Sequence, residues 1–183
     1  MQEENDVPLS PCPNFLDAPN PDQAETDFVL YRDFMRAGEW DKAYEMWEKV
    51  YAVAPAADGR RNSVMADGIT FYEYYISQTP EPAAREPYID KIFEMYQRID
   101  ECYPEGGYVN GRMAFDYFYK YPERSSKIET YKLFRESMDE DGMKKAQYFI
   151  LNPMAALLVD RYFADEIPLE EAKKYAEMIR GRL

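Results

Sequence analysis

The chain has no histidine among its 183 residues. That removes the commonest general base, the Ser-His and Cys-His nucleophile pairs, and the usual zinc and iron ligand sets. Cysteine is nearly as scarce. Cys12 and Cys102 are too far apart in sequence for a Cys-x-x-Cys metal or redox site. They leave two readings open: one disulfide pinning an N-terminal arm to the end of a later helix, or two independent free thiols. There are only 8 glycines, and Gly106-Gly107 lacks the Lys-Ser/Thr that completes a phosphate-cradling loop. Long apolar runs are missing too. Met154 to Val159 falls far short of the roughly 20 residues a membrane-spanning helix needs. Residues 1–10 are acidic and polar rather than basic then apolar, so they do not read as a signal peptide. No apolar stretch precedes Leu9-Ser10-Pro11-Cys12, so lipidation of Cys12 is not expected.

Positive charge is in short supply. Against 22 Lys+Arg stand 35 Asp+Glu, a formal net charge of −13. Such a surface repels phosphate backbones and anionic headgroups, which argues against nucleic-acid and membrane-surface binding and steers cationic partners inward. It also keeps a protein soluble whatever its task.

Apolar and aromatic residues are plentiful: 46 % hydrophobic, with 17 Tyr, 10 Phe and 2 Trp. That is enough for a packed core and excludes a disordered chain. Abundant Ala, Glu, Lys, Met and Arg, with Val and Ile rarely clustered, favours helix over sheet and an all-α fold. Residues 1–22 carry Pro8, Pro11, Pro13, Pro19 and Pro21 and read as an extended arm, with Phe15 and Leu16 packing on the body.

Helical periodicity begins after the arm. A helix over 23–37 carries Phe28, Leu30, Tyr31 and Phe34, and Gly38 ends it. A second starts near Trp40-Asp41, presents Ala43, Met46, Trp47, Val50 and Tyr51, and stops at Pro55. Further helix pairs are predicted over 61–104, 108–138 and 143–183. In the second pair Ile92, Tyr96 and Ile99 echo Ala43, Trp47 and Val50. In the last helix Ala172, Ala176 and Ile179 repeat the small-small-apolar spacing. Asp67-Gly68, Asn110-Gly111 and Asn152-Pro153 recur at steps of 43 and 42 residues.

The pattern Gly38, Trp40, Asp41, Ala43, Trp47, Pro55 resembles the tetratricopeptide repeat, with Leu30 and Phe34 fitting its first helix. Tyr31 departs from it, standing where that family places glycine or alanine. The later pairs are more degenerate and longer than the roughly 34 residues of a standard repeat. Their style is similar to envelope-associated tetratricopeptide proteins of Bacteroidota-type bacteria. The resemblance implies an all-α, right-handed helical-hairpin stack (a TPR-like α-solenoid) of about four pairs. It implies a cell-envelope or periplasmic location, with the cytoplasm as the alternative.

In that family the first helix of each pair lines a partner-binding groove. Carried over, the groove candidates are Arg32, Met35 and Arg36, then Ile69, Tyr72 and Glu73, then Arg112, Phe115 and Asp116. The expected function is a non-catalytic scaffold or adaptor for a protein or peptide, with no cofactor and no metal. The alternative is a ligand-binding accessory domain whose tyrosines line a pocket for a peptide or glycan. A carboxylate-dependent hydrolase is a third. Asp139-Glu140-Asp141-Gly142 lacks the alternating ligands and distal glutamate of a calcium loop and reads as a solvated interhelical turn. Glu170-Glu171 reads as charge favourable to a helix start.

Overall fold

The computed structural model describes residues 9–104 and 106–183. Among these residues there are eight α-helices and two single-turn 3-10 helices, and no strand. The chain divides into two compact units, Met1–Pro104 and Glu105–Leu183.

The first unit holds α1 (Pro21–Ala37), α2 (Trp40–Val53), α3 (Ser63–Gln78) and α4 (Pro82–Cys102), with α1 packed on α2 and α3 on α4. Local chemistry sets the α1 boundaries. The Asn20 side chain accepts from the Gln23 N–H, Pro21 opens the helix, and Gly38 closes it at φ 76° with its N–H on the Phe34 and Met35 carbonyls. The core of the unit is built from Tyr31, Ala43, Trp47, Val50, Val64, Phe71, Ile92, Tyr96 and Ile99, all buried. The echo of the first hairpin in the second is therefore an echo of buried positions.

Tyr31 is fully buried, and its hydroxyl donates to Asp67 Oδ2 at 2.8 Å, joining α1 to α3. This residue, the departure from the repeat pattern, spans between the first helices of adjacent hairpins. Gly68 serves the neighbouring contact. A Cβ there would lie 2.6 Å from Trp47 Cζ2, so glycine is what admits the indole.

The described part of the arm, residues 9–20, is tied to the first unit. Cys12 and Cys102 form a disulfide. Around it the Ser10 N–H donates to the Gly59 carbonyl, the Phe15 N–H to Ala57, and the Ser10 hydroxyl to the Cys102 carbonyl. Residues 1–8, including Pro8, lie outside the described residues.

The second unit holds α5 (Tyr108–Tyr119), α6 (Lys127–Lys145), α7 (Tyr148–Phe163) and α8 (Leu169–Arg182), with a 3-10 turn at Pro122–Arg124. Its core gathers Tyr131, Phe134 and Met138 of α6 with Ile150, Met154 and Leu157 of α7 and Tyr175 and Ile179 of α8. Three sequence expectations change here. The acidic run at 139–142 ends at a kink at Gly142 (φ 65°), beyond which a short helical turn reaches Lys145, so the expected break is there but the run is not merely solvated. Its carboxylates are latches: Asp141 Oδ1 accepts from the Gly107 N–H at 2.8 Å, and Asp139 Oδ2 accepts from the Tyr175 hydroxyl at 2.5 Å. Helix α7 accordingly starts at Tyr148 rather than near 143. In α8 the inward face is Tyr175 and Ile179, while Ala176 is exposed. Tyr175 sets that rotation by packing edge-on against Tyr131.

Candidate interaction surfaces

The predicted groove residues separate by burial. Tyr72 and Asp116 are buried and leave the surface set. Tyr72 packs against Trp47 and Tyr44, where burial raises its hydroxyl pKa, and Asp116 faces Lys120 Nζ at 3.2 Å. Arg32 is half-exposed, with its Nε 3.3 Å from Asp67 Oδ2, so this carboxylate serves both Tyr31 and Arg32. Burial still pushes the Asp67 carboxyl above its ordinary range, against the lowering effect of Tyr31 and Arg32. Arg36 is exposed and paired with Asp33, while Met35, Ile69 and Glu73 are half-exposed. In the second unit the Arg112 guanidinium lies 5.5 Å from the centroids of both Phe115 and Phe149. The predicted groove residues all sit on the first helices of hairpins, α1, α3 and α5. Those of the first unit flank the Tyr31–Asp67 link.

A set of aromatic residues absent from the predicted groove lies at the start of α2, the end of α3 and the start of α4. Trp40 stacks on Tyr74 with ring centroids 4.4 Å apart, and Tyr75 stacks on Tyr88 at 5.6 Å. Tyr44 meets Tyr75 edge-on at 5.3 Å. All five are half-buried, so each leaves part of its ring or hydroxyl in solvent. The Tyr75 hydroxyl points to Asp41 Oδ1 at 3.4 Å, and burial together with Asp41 lifts its pKa to about 12. The signal was in the sequence, as the Tyr74-Tyr75 pair beyond the buried stripe of α3.

The second unit contains a cavity of about 380 Å³. Tyr117, Phe118 and Pro122 form one wall, Ser125, Lys127 and Thr130 at the α6 start a second, and Ala156, Leu157 and Asp160 of α7 a third. Its two charged lining residues, Lys127 and Asp160, are paired with each other. Lys127 Nζ is 2.9 Å and the Arg161 guanidinium 2.7 Å from Asp160 Oδ2. These hydrogen bonds hold the Asp160 carboxyl below its usual range. One tyrosine lines the cavity, not the several that a tyrosine-lined ligand pocket calls for.

Among the described residues, no group of three or more Cys, Asp or Glu is placed to hold a metal ion. No helix there is long and apolar enough to cross a membrane. No family model, no curated protein and no solved structure matches the chain.

Proposed function

We propose that the chain is a non-catalytic interaction module, a TPR-like right-handed stack of about four helix pairs, and that its partner is a basic segment of another protein docking on the first unit. The observation that carries this reading is the distribution of charge. Residues 1–104 hold 9 Lys+Arg against 21 Asp+Glu, whereas residues 105–183 hold 13 against 14. Nearly all of the net charge of −13 therefore belongs to one unit. The half-exposed rings of Trp40, Tyr74, Tyr75 and Tyr88 supply contact area that costs little conformational entropy, and their faces attract Lys and Arg. Asp41 beside Tyr75 supplies an opposite charge. The uncovered parts of α1 and α3, with Arg32, Met35, Arg36, Ile69 and Glu73, extend the contact along the first helices.

The disulfide between Cys12 and Cys102 supports an oxidising compartment, such as the bacterial cell envelope or periplasm, over a reducing cytoplasm.

The test is in-cell crosslinking with mass spectrometry, followed by binding measurements on the recovered partner. The expected partner contacts the chain through a Lys/Arg-rich segment, loses affinity as salt rises, and loses it again on Trp40→Ala or Asp41→Lys. A partner whose affinity is indifferent to salt and to both substitutions refutes the proposal.

A further inference from the structure

Helix α7 has two faces of unlike fate. Ile150, Met154 and Leu157 are buried in the core of the second unit. On the opposite side Val159 is 55 % and Phe163 79 % exposed, and Ala156 is exposed as well. Ala156, Asp160 and Phe163 stand at i, i+4 and i+7 and share one stripe. Two of these three, Ala156 and Asp160, also line the 380 Å³ cavity. A recess and a protruding aromatic ring therefore sit side by side on one helix surface.

We propose that this surface pairs with a second copy of the chain, through antiparallel contact of the two α7 helices in which Phe163 of each copy caps the cavity of the other. The register follows from symmetry. A two-fold contact requires that if residue i meets j, then j meets i. A dyad between positions 159 and 160 sets Phe163 opposite the partner copy's Ala156 and brings the two Val159 side chains near the axis. The small alanine leaves the space that the ring needs, and the apolar wall of Phe118, Pro122 and Leu157 receives it.

Charge favours this occupant on this face. Two copies of a chain with net charge −13 repel each other, and the repulsion is least where the local charge is near zero. The second unit is nearly balanced, and Asp160, closest to the dyad, is already paired with Lys127 and Arg161. The contact is confined to one stripe of one helix, so the dimer belongs to the weak class of associations.

Sedimentation velocity on the intact chain, from about 5 to 500 µM, covers that weak class. The expected result is a concentration-dependent shift from monomer to dimer. Phe163→Asp, which removes the ring, and Ala156→Trp, which fills the recess, should each weaken it at least about tenfold, as loss of a central anchor does. Unchanged circular dichroism shows that Phe163→Asp, at so exposed a site, has not unfolded the chain. A photoreactive p-benzoylphenylalanine at position 163 should give a covalent dimer joined to Tyr117–Pro122 or Ala156–Asp160 of the other copy. A monomer at every concentration, a dimer indifferent to both substitutions, or crosslinks confined to other segments overturns the proposal. None of these outcomes depends on the first unit, so this proposal and the one for a basic partner can fail separately.

Discussion

The contact between Trp47 and Gly68 gives a sharp test of how the first two hairpins are held together. Trp47 is 1 % exposed, its indole N–H donates to the Val64 carbonyl at 2.7 Å, and it packs on Tyr44, Tyr51, Phe71 and Tyr72. Trp47→Ala removes the ring and the hydrogen bond together, and should cost about 3–5 kcal/mol. Gly68→Ala alone sets two effects against each other. Replacing a mid-helix glycine by alanine gains about 1 kcal/mol of helix propensity. The new methyl, however, would sit 2.6 Å from Trp47 Cζ2, in a rigid ring with packed neighbours, and overpacking of that kind costs about 1–3 kcal/mol. The substitution should therefore be neutral to destabilising, by up to about 2 kcal/mol. With Trp47 already replaced by alanine the clash is gone. The closest remaining contact is Met95 Sδ at 3.2 Å, on a side chain that can move. Gly68→Ala should then stabilise by roughly 0.5–1 kcal/mol. The readout is urea unfolding of the four proteins, followed by the fluorescence of Trp40, which lies in the same unit and survives every substitution. A Gly68→Ala effect of the same sign and size in both backgrounds would falsify the packing argument.

Three further perturbations probe other links. Replacing Cys12 and Cys102 by serine should cost about 2–5 kcal/mol, because the bridge closes a long loop of the unfolded chain; an unchanged Tm with and without reductant would contradict that. Asp67→Asn keeps an acceptor for the buried Tyr31 hydroxyl and should stay within about 1 kcal/mol of the parent, whereas Asp67→Ala strands that hydroxyl and should cost about 1–3 kcal/mol in urea unfolding. Alkali should destabilise the first unit: burial raises the Tyr103 hydroxyl to about 12, so its contribution is whole below the unfolded value near 10 and is lost as pH rises from 10 through 12. Absorbance at about 295 nm should then show a tyrosine fraction that titrates late, only as the fold is lost, and stability that is flat across this window would refute it.

What could be read from the sequence was what local chemistry decides. Asn20, Pro21 and Gly38 fix the ends of α1 without help from elsewhere, and the Trp47 stripe followed by Pro55 defines α2 in the same way. The reading failed where contacts distant in sequence settle a local ambiguity. Gly142 marks the kink in α6, but nothing near Asp139–Asp141 announces what those carboxylates hold. The carboxylates of that run are engaged by the start of α5 and by α8, through Gly107 and Tyr175. In Lys173–Arg180, a face built on Ala176 and one built on Tyr175 are equally periodic, and Tyr131 of α6 selects the second. The echo of Gly68 and Gly111 is real as spacing but not as contact. Gly68 admits Trp47 of the preceding hairpin, while at Gly111 a Cβ would meet Ser137 Oγ at 2.8 Å and Ile150 at 3.0 Å. The groove candidates were legible as positions on first helices. Which of them packing would cover, as it covers Tyr72 and Asp116, was not.

The uneven charge ties the two proposed contacts together and makes them separable by one variable. A basic segment docking on the first unit is drawn by opposite charge, so added salt screens an attraction and lowers affinity. Two copies meeting at α7 carry −13 each, so the same salt screens a repulsion and raises their affinity. With a Debye length of about 10 Å at 0.1 M, both effects should fall mostly between low and near-physiological ionic strength. Sedimentation velocity and partner titration across that range should therefore move in opposite directions. If both associations weaken with salt, the α7 contact is not apolar pairing between copies. If both strengthen, the charge of the first unit is not what recruits its partner.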